Sequence, residues 1–267
     1  MIMDLWTQSE NNIWVAAHRG WCEKYPENTM IAFEKAIELG VDQIETDLRV
    51  TKDGHVVLMH DADVERSTDG KGNVWELTLD EIRALDAGIK KGPEFKGCKV
   101  PTLDEFLALI KQHPTMTVDF EFKNIYSGVD EETGNGYIEK ILAAIDEAGV
   151  TERCVINSFT APIHEYIQDK YPGKYKHHVF WPDKNNLRAT RDSYSYAYCC
   201  CLFNTANLLP AEEVFNFMRH RGIQPWAGAS INCDERVELA IQRGCTLITC
   251  NNPDVILDSL RKRGYHK

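Results

Sequence analysis

From residue 13 onward the chain alternates short apolar or β-branched runs with longer stretches in which apolar residues return every three or four positions. That alternation is the mark of repeated βα units around a parallel sheet. Residues 13–17 (IWVAA) read as strand one, with Met30, Phe33 and Ile37 as the apolar stripe of the helix behind it. Residues 43–50 form strand two. Residues 117–122 come next, followed by a helix whose inner face is Ile138, Ile141, Leu142 and Ile145 and which Gly149 is placed to end. Runs at 154–159, 177–181, 198–203, 223–227 and 245–250 complete a set of eight. Eight successive parallel strands predict an α/β fold of the (β/α)8 TIM-barrel type rather than an open sheet, because closure removes both edges.

One stretch breaks the rhythm. After strand two the chain runs through residues 52–116 before the next barrel strand, far longer than an ordinary connection. It reads as a small inserted subdomain at about 52–116. The turn Lys52-Asp53-Gly54 leads into a second short strand that ends at Met59-His60-Asp61, and residues 66–74 are rich in turn formers. Thr78 to Glu81 and Thr102 to Glu105 both fit the capping box, so each starts a helix, the second returning to the barrel. No repeat or linker divides the chain, and residues 1–267 are expected to form a single domain.

Strand two carries Glu45 and Asp47 where a buried strand normally carries valines. Two apart, they share one face, with Ile44, Thr46 and Leu48 on the other. Like charges ~4 Å apart repel by roughly 4 kcal/mol at an effective dielectric of ~20, so something positive belongs between them. The next barrel strand repeats the pattern: Asp119, Glu121 and Lys123 share a face. Inward carboxylates on two strands suit an oxygen-ligand site for a hard cation, Ca2+ or Mg2+. The plainer alternative is a wet acidic edge, or pairing with Lys123 alone. Against it, strand one ends in His18 and Arg19, and His60 sits at a comparable level, at the carboxyl ends where barrels of this kind place their active face.

The net charge of −11 argues against nucleic acid or an anionic membrane held by bulk electrostatics. Neither an export signal nor an apolar run of ~18 residues is visible, so a cytoplasmic protein without stable membrane association is expected. The nine cysteines include no C-x-x-C pair, and Cys199, Cys200 and Cys201 alternate faces on a strand, so they cannot converge on one zinc ion. They read as small buried hydrophobes in a reducing compartment. His113, His177, His178 and His220 receive no role, and the glycine pairs at 69–72 and 133–136 read as turns.

The segment AHRGWCEKYPENTMIAFEKAIELGVDQIETDLRVTKDGHVVLMHD resembles the opening of the glycerophosphodiester phosphodiesterase family, with its HRG, PENT, E-x-D, T-x-D-G and HD motifs in order. The likeness continues through ERSTDGKGNV, KVPTLDEFL, FEFK, INSF and GCTLITCNNPD. It implies a (β/α)8 barrel with a small subdomain after strand two, and a divalent cation held by Glu45, Asp47 and Glu121. It further implies His18 and His60 as general acid and base, with Arg19, Lys123 and Trp226 contacting substrate. The implied reaction is hydrolysis of glycerophosphodiesters to sn-glycerol 3-phosphate and an alcohol, by the substrate's own hydroxyl or by water. Other readings on the same barrel are a lipid-directed phosphodiesterase of phospholipase D type and a catalytically silent barrel that binds metal or phosphodiester.

Two departures stand out. Asn251 occupies a position that is usually acidic in the family, and Ala227-Gly228-Ala229 replaces the usual threonine-valine-asparagine. Both are expected on the far wall, away from metal and histidines, where they would bear on substrate choice. Phe159, Trp181, Phe203 and Trp226 fall at strand ends and could line a head-group pocket able to hold choline. Water-soluble substrates such as glycerophosphocholine or glycerophosphoethanolamine are expected over intact lipids. The sequence leaves the oligomeric state open.

Overall fold

The computed structural model describes residues 5–203 and 208–267. Eight parallel strands close into a barrel: β1 (Trp14–His18), β2 (Gln43–Val50), β4 (Thr117–Phe122), β5 (Cys154–Asn157), β6 (Lys176–Trp181), β7 (Ala197–Leu202), β8 (Gln224–Ala227) and β9 (Leu247–Cys250). Closure is the pairing of β1 with both β2 and β9. The ninth strand, β3 (Val56–Leu58), runs antiparallel beside β2. Helices α1 (Met30–Leu39), α3 (Leu103–Lys111), α4 (Glu131–Glu147), α5 (Ala161–Lys170), α6 (Glu212–His220), α7 (Asp234–Gln242) and α8 (Pro253–Arg263) flank the strands. Among the described residues no helix is long and apolar enough to cross a membrane.

The period-two alternation of each strand divides its side chains between two cores. Outward residues such as Val15, Ile44, Leu48, Val118, Phe120 and Ile156 pack with the apolar stripes of the helices in one large core. Phe33 of α1, Phe106 of α3 and Phe120 of β4 form a chain of edge-to-face rings 4.8 and 6.0 Å apart. Inward residues Trp14, Ala16, Val155, Cys199, Trp226 and Leu247 fill the barrel itself. The three consecutive cysteines obey the same rule: Cys199 belongs to the inner core and Cys200 to the outer, and all are free thiols.

Between β2 and α3 the chain encloses a small core of its own, built from Val57, Met59, Val64, Val74, Ile82, Ala87 and Val100. Its helix α2 (Leu79–Ala84) starts at Thr78, and α3 starts at Thr102, each with a reciprocal capping box to the glutamate three residues on. At the start of that excursion β3 runs back along β2, and the residue after it continues the pairing: Met59 N–H donates to the Asp47 carbonyl at 3.0 Å. Thus the next residue, His60, is delivered to the level of Asp47.

Candidate active site

Register brings the carboxylates together. Glu45 lies beside Asp119 and Asp47 beside Glu121 in the parallel pairing of β2 with β4, all facing the barrel interior. Oxygens of Glu45, Asp47 and Glu121 lie within 4.8 Å of one another, and all three side chains are buried. The positive charge that such a cluster demands is present in part: Lys123 Nζ is 3.0 Å from Asp47 Oδ1 and also pairs with Glu121, and Arg19 Nε is 3.4 Å from Asp47 Oδ2. The effect is uneven. Burial works against ionisation of Asp47, yet Lys123 and Arg19 outweigh it and hold that carboxyl below its usual range. Burial, with Asp47 and Glu121 beside it, pushes Glu45 well up. Burial also raises Glu121. Glu45 Oε1 is buried with no hydrogen-bond partner. An all-oxygen donor set, under-compensated and with an orphaned carboxylate oxygen, fits a hard divalent cation.

The turn after β1 supplies the rest. Gly20 adopts φ +74°, and a Cβ there would come within 2.7 Å of the Ala32 backbone on α1, so only glycine lets this turn pack so closely. Arg19, at φ +57°, thereby points its N–H at Glu45 Oε2, 2.8 Å away. Asn28 is a second brace, donating to Asp47 Oδ2 at 2.7 Å while accepting from Thr46.

The two histidines stand on either side with different supports. His60 Nδ1 is 2.7 Å from Asp61 Oδ1, and Arg66 binds both Asp61 and Glu27, which in turn meets Arg19. Arg49 donates twice to the His60 carbonyl. His18 Nδ1 is 2.6 Å from Asn251 Oδ1, and its Nε2 is 3.9 Å from Glu45. Burial and the Arg19 charge push His18 down to about 4. Burial, then Lys123, lowers His60.

These groups open on a cavity of about 230 Å3 whose other wall is Asn157, Phe159, His178, Phe180, Cys201, Phe203, Gly228, Ala229 and Thr249. Three sequence expectations change here. Asn251 is not remote from the histidines: closure sets β9 beside β1, and Asn251 is the first residue past β9. Trp226 does not reach the cavity; it is fully buried in the barrel interior beneath it, its ring 4.9 Å from that of His178. Trp181 is likewise absent from the lining, where its neighbour Phe180 stands instead. His178, given no role from sequence, points inward, with Nδ1 2.7 Å from Asp119 Oδ2. Strand alternation places it on that face, but its partner lies 59 residues away and leaves no local pattern.

The model of the glycerophosphoryl diester phosphodiesterase family matches residues 18–255. A glycerophosphodiester phosphodiesterase of Caldanaerobacter subterraneus subsp. tengcongensis is 35% identical over 263 residues, covering 94% of this chain and 98% of the relative. Among solved structures, a glycerophosphodiester phosphodiesterase from Agrobacterium tumefaciens superposes with a TM-score of 0.75 at 24% identity, over 91% of this chain and 98% of that one. An Oleispira antarctica phosphodiesterase, in complex with the product sn-glycerol-3-phosphate, superposes with a TM-score of 0.74 at 22% identity, over 93% and 96%. The two structures share the barrel; the family match and the near full-length relative go further, and this chain belongs to the glycerophosphoryl diester phosphodiesterase family, as an enzyme that hydrolyses glycerophosphodiesters.

Proposed function

We propose that the chain hydrolyses glycerophosphodiesters to sn-glycerol 3-phosphate and an alcohol, that one divalent cation, Ca2+ or Mg2+, is required, and that His18 and His60 exchange the protons. The observation that carries this reading is the convergence of Glu45, Asp47 and Glu121 between two histidines at the carboxyl ends of the strands. The product named for the Oleispira relative supports the choice of products. A cation held by the three carboxylates would draw charge from a phosphoryl oxygen. Arg19 and Lys123 border the same space, and their fixed positive charges suit the other non-bridging oxygens.

The different supports behind the histidines favour different roles. With Nδ1–H donated to Asp61, His60 presents Nε2 to the cavity, and the carboxylate behind it works against the burial and Lys123 charge that lower this ring, so of the two histidines it is the one with an anion to support a proton. His18 is backed by a neutral amide and flanked by Arg19, so it stays neutral and takes up the proton of the attacking oxygen, either water or the substrate's own hydroxyl, the latter giving a cyclic phosphate that water then opens to glycerol 3-phosphate. His60 then gives its proton to the departing alcohol. Release of glycerol 3-phosphate from a panel of glycerophosphodiesters, with and without chelator, tests the reading. Full turnover by metal-free enzyme would refute the cation, and no release from any member would refute the reaction.

A further inference from the structure

We infer that the Asp119–His178 pair is a head-group site for a primary ammonium on the leaving alcohol. The inference rests on the proposed reaction and names the class of substrate that the reaction favours.

The cavity has two unlike walls. Arg19 and Lys123 stand among the carboxylates of one, where Arg19 pairs with Asp47 and Glu27, and Lys123 with Asp47 and Glu121. The other is aromatic: Phe159 and Phe180 stack with ring centroids 3.7 Å apart and planes within 9°, and Phe203 meets Phe180 edge-on at 6.0 Å. Asp119, on β4 beside Glu45 in the strand register, stands where the carboxylate wall meets this aromatic one. It is fully buried, lies outside the three-carboxylate cluster, and has His178 rather than an arginine or lysine as its partner.

Hydrogen bonding fixes what the pair can accept. In the uncharged tautomer that gives its Nδ1–H to the Asp119 carboxylate, His178 keeps Nε2 as an acceptor. That Nε2 and Asp119 Oδ1 are both buried and without a partner. A substrate bound through its phosphate at the wall that carries Arg19 and Lys123 extends one substituent toward these rings. Two acceptors and a negative charge beside aromatic faces suit a group that brings positive charge and N–H donors together. A primary ammonium does both. A quaternary ammonium brings charge but leaves the acceptors unpaired, and a polyol brings donors but no charge.

The test compares kcat/KM for glycerophosphoethanolamine, glycerophosphocholine and glycerophosphoglycerol in wild type, Asp119→Asn and His178→Gln. Wild type should favour the ethanolamine compound over each of the others by about tenfold or more, the worth of one well-placed hydrogen bond to a charged group. In Asp119→Asn the ethanolamine-to-glycerol ratio should fall by about tenfold. His178→Gln reads the same ratio should the first variant not fold. A wild type that prefers choline or glycerol, or that treats all three alike, overturns the inference, as does an unchanged ratio in both variants. Free ethanolamine and choline, titrated calorimetrically into wild type and Asp119→Asn, read the site without turnover. Enzyme inert toward every diester would refute the reaction, and tighter ethanolamine binding that Asp119→Asn abolishes would still uphold the site.

Discussion

The two walls of the cavity are built by different rules. On β1, β2 and β4 and the residues just past them, most functional side chains are tied to another on the same or the adjacent strand: Arg19 to Asp47, Lys123 to Asp47 and Glu121, Glu45 to the Arg19 backbone. On β5 to β8 the wall is two residues per strand, with Phe159, Phe180 and Phe203 held by packing of their rings. A closely coupled polar wall fails when any member is removed, because each loss leaves a buried charge without its partner. A packed apolar wall loses area in proportion to the atoms removed. Chemistry is therefore expected on the first wall and discrimination on the second.

Removing a carboxylate is the hardest blow to that contrast. Glu45→Ala, Asp47→Ala and Glu121→Ala should each lower turnover by on the order of 10³ or more, the scale of losing a polarising cation at phosphorus. Phe203→Ala on the opposite wall should act mainly through KM, within roughly tenfold. Steady-state assay of glycerol 3-phosphate release, with metal content measured in the same preparations, separates the two. Comparable kcat losses on both walls would erase the distinction.

Next in size are the histidines. His18→Ala and His60→Ala should lower kcat by ~10² or more, the usual contribution of a positioned acid or base, while metal content stays near that of wild type. Either variant turning over its best substrate at the wild-type rate would make that histidine structural.

The difference between the walls also governs how much of the site could be read in advance. Glu45 with Asp47, and Asp119 with Glu121 and Lys123, are spaced by two on strands, so the sequence itself places them on one face. His18 and His60 follow from their positions at strand ends. The barrel, its eight parallel strands and both capping boxes were equally legible, because alternation and caps are local signals. The second wall is assembled from strands far apart in the chain, and the packing that sorts its aromatics between cavity and core leaves no such trace. Strand-end position therefore could not separate Phe159, which lines the cavity, from Trp226, which lies under it. Asn251 escaped for the same reason: its contact with His18 spans 233 residues and exists only because the sheet closes.

That contact offers a finer probe. Burial and Arg19 push His18 down to about 4, against the charge of Asp47 and the hydrogen bond of the Asn251 amide, which act to raise it. In Asn251→Asp a carboxylate would favour the charged ring and raise its pKa by about 1 to 3 units. On the proposed role of His18 as a base in its neutral form, the acid limb of the kcat/KM profile should move to higher pH by a similar amount. An unmoved limb would mean that another group sets it.

The smallest effect lies at the opposite end of the charged strands, where a pair of the same chemistry has no access to the cavity. His266 Nε2 is 2.9 Å from Asp42 Oδ2, the same oxygen that accepts the Val15 N–H at 2.8 Å, and the neighbouring Tyr265 carbonyl accepts from Ile13. The tail after α8 is thus fastened across the start of β1 and the residue before β2. Burial pulls the His266 pKa down, but the hydrogen bond and charge of Asp42 outweigh it and the value is raised. A raised folded pKa means a contribution that is full below the unfolded value of about 6.5 and is lost as pH rises through the folded one. Asp42 is partly exposed, so solvent screening limits the pair to roughly 0.5–1 kcal/mol. His266→Gln should therefore melt about 1–3 °C below wild type at about pH 5.5, with the gap narrowing toward about pH 9. Catalytic parameters should be unchanged at both values. A gap that widens with pH would reverse the sign of the coupling, and a change in kcat would mean that the two ends of these strands do not divide stability from chemistry as their geometry indicates.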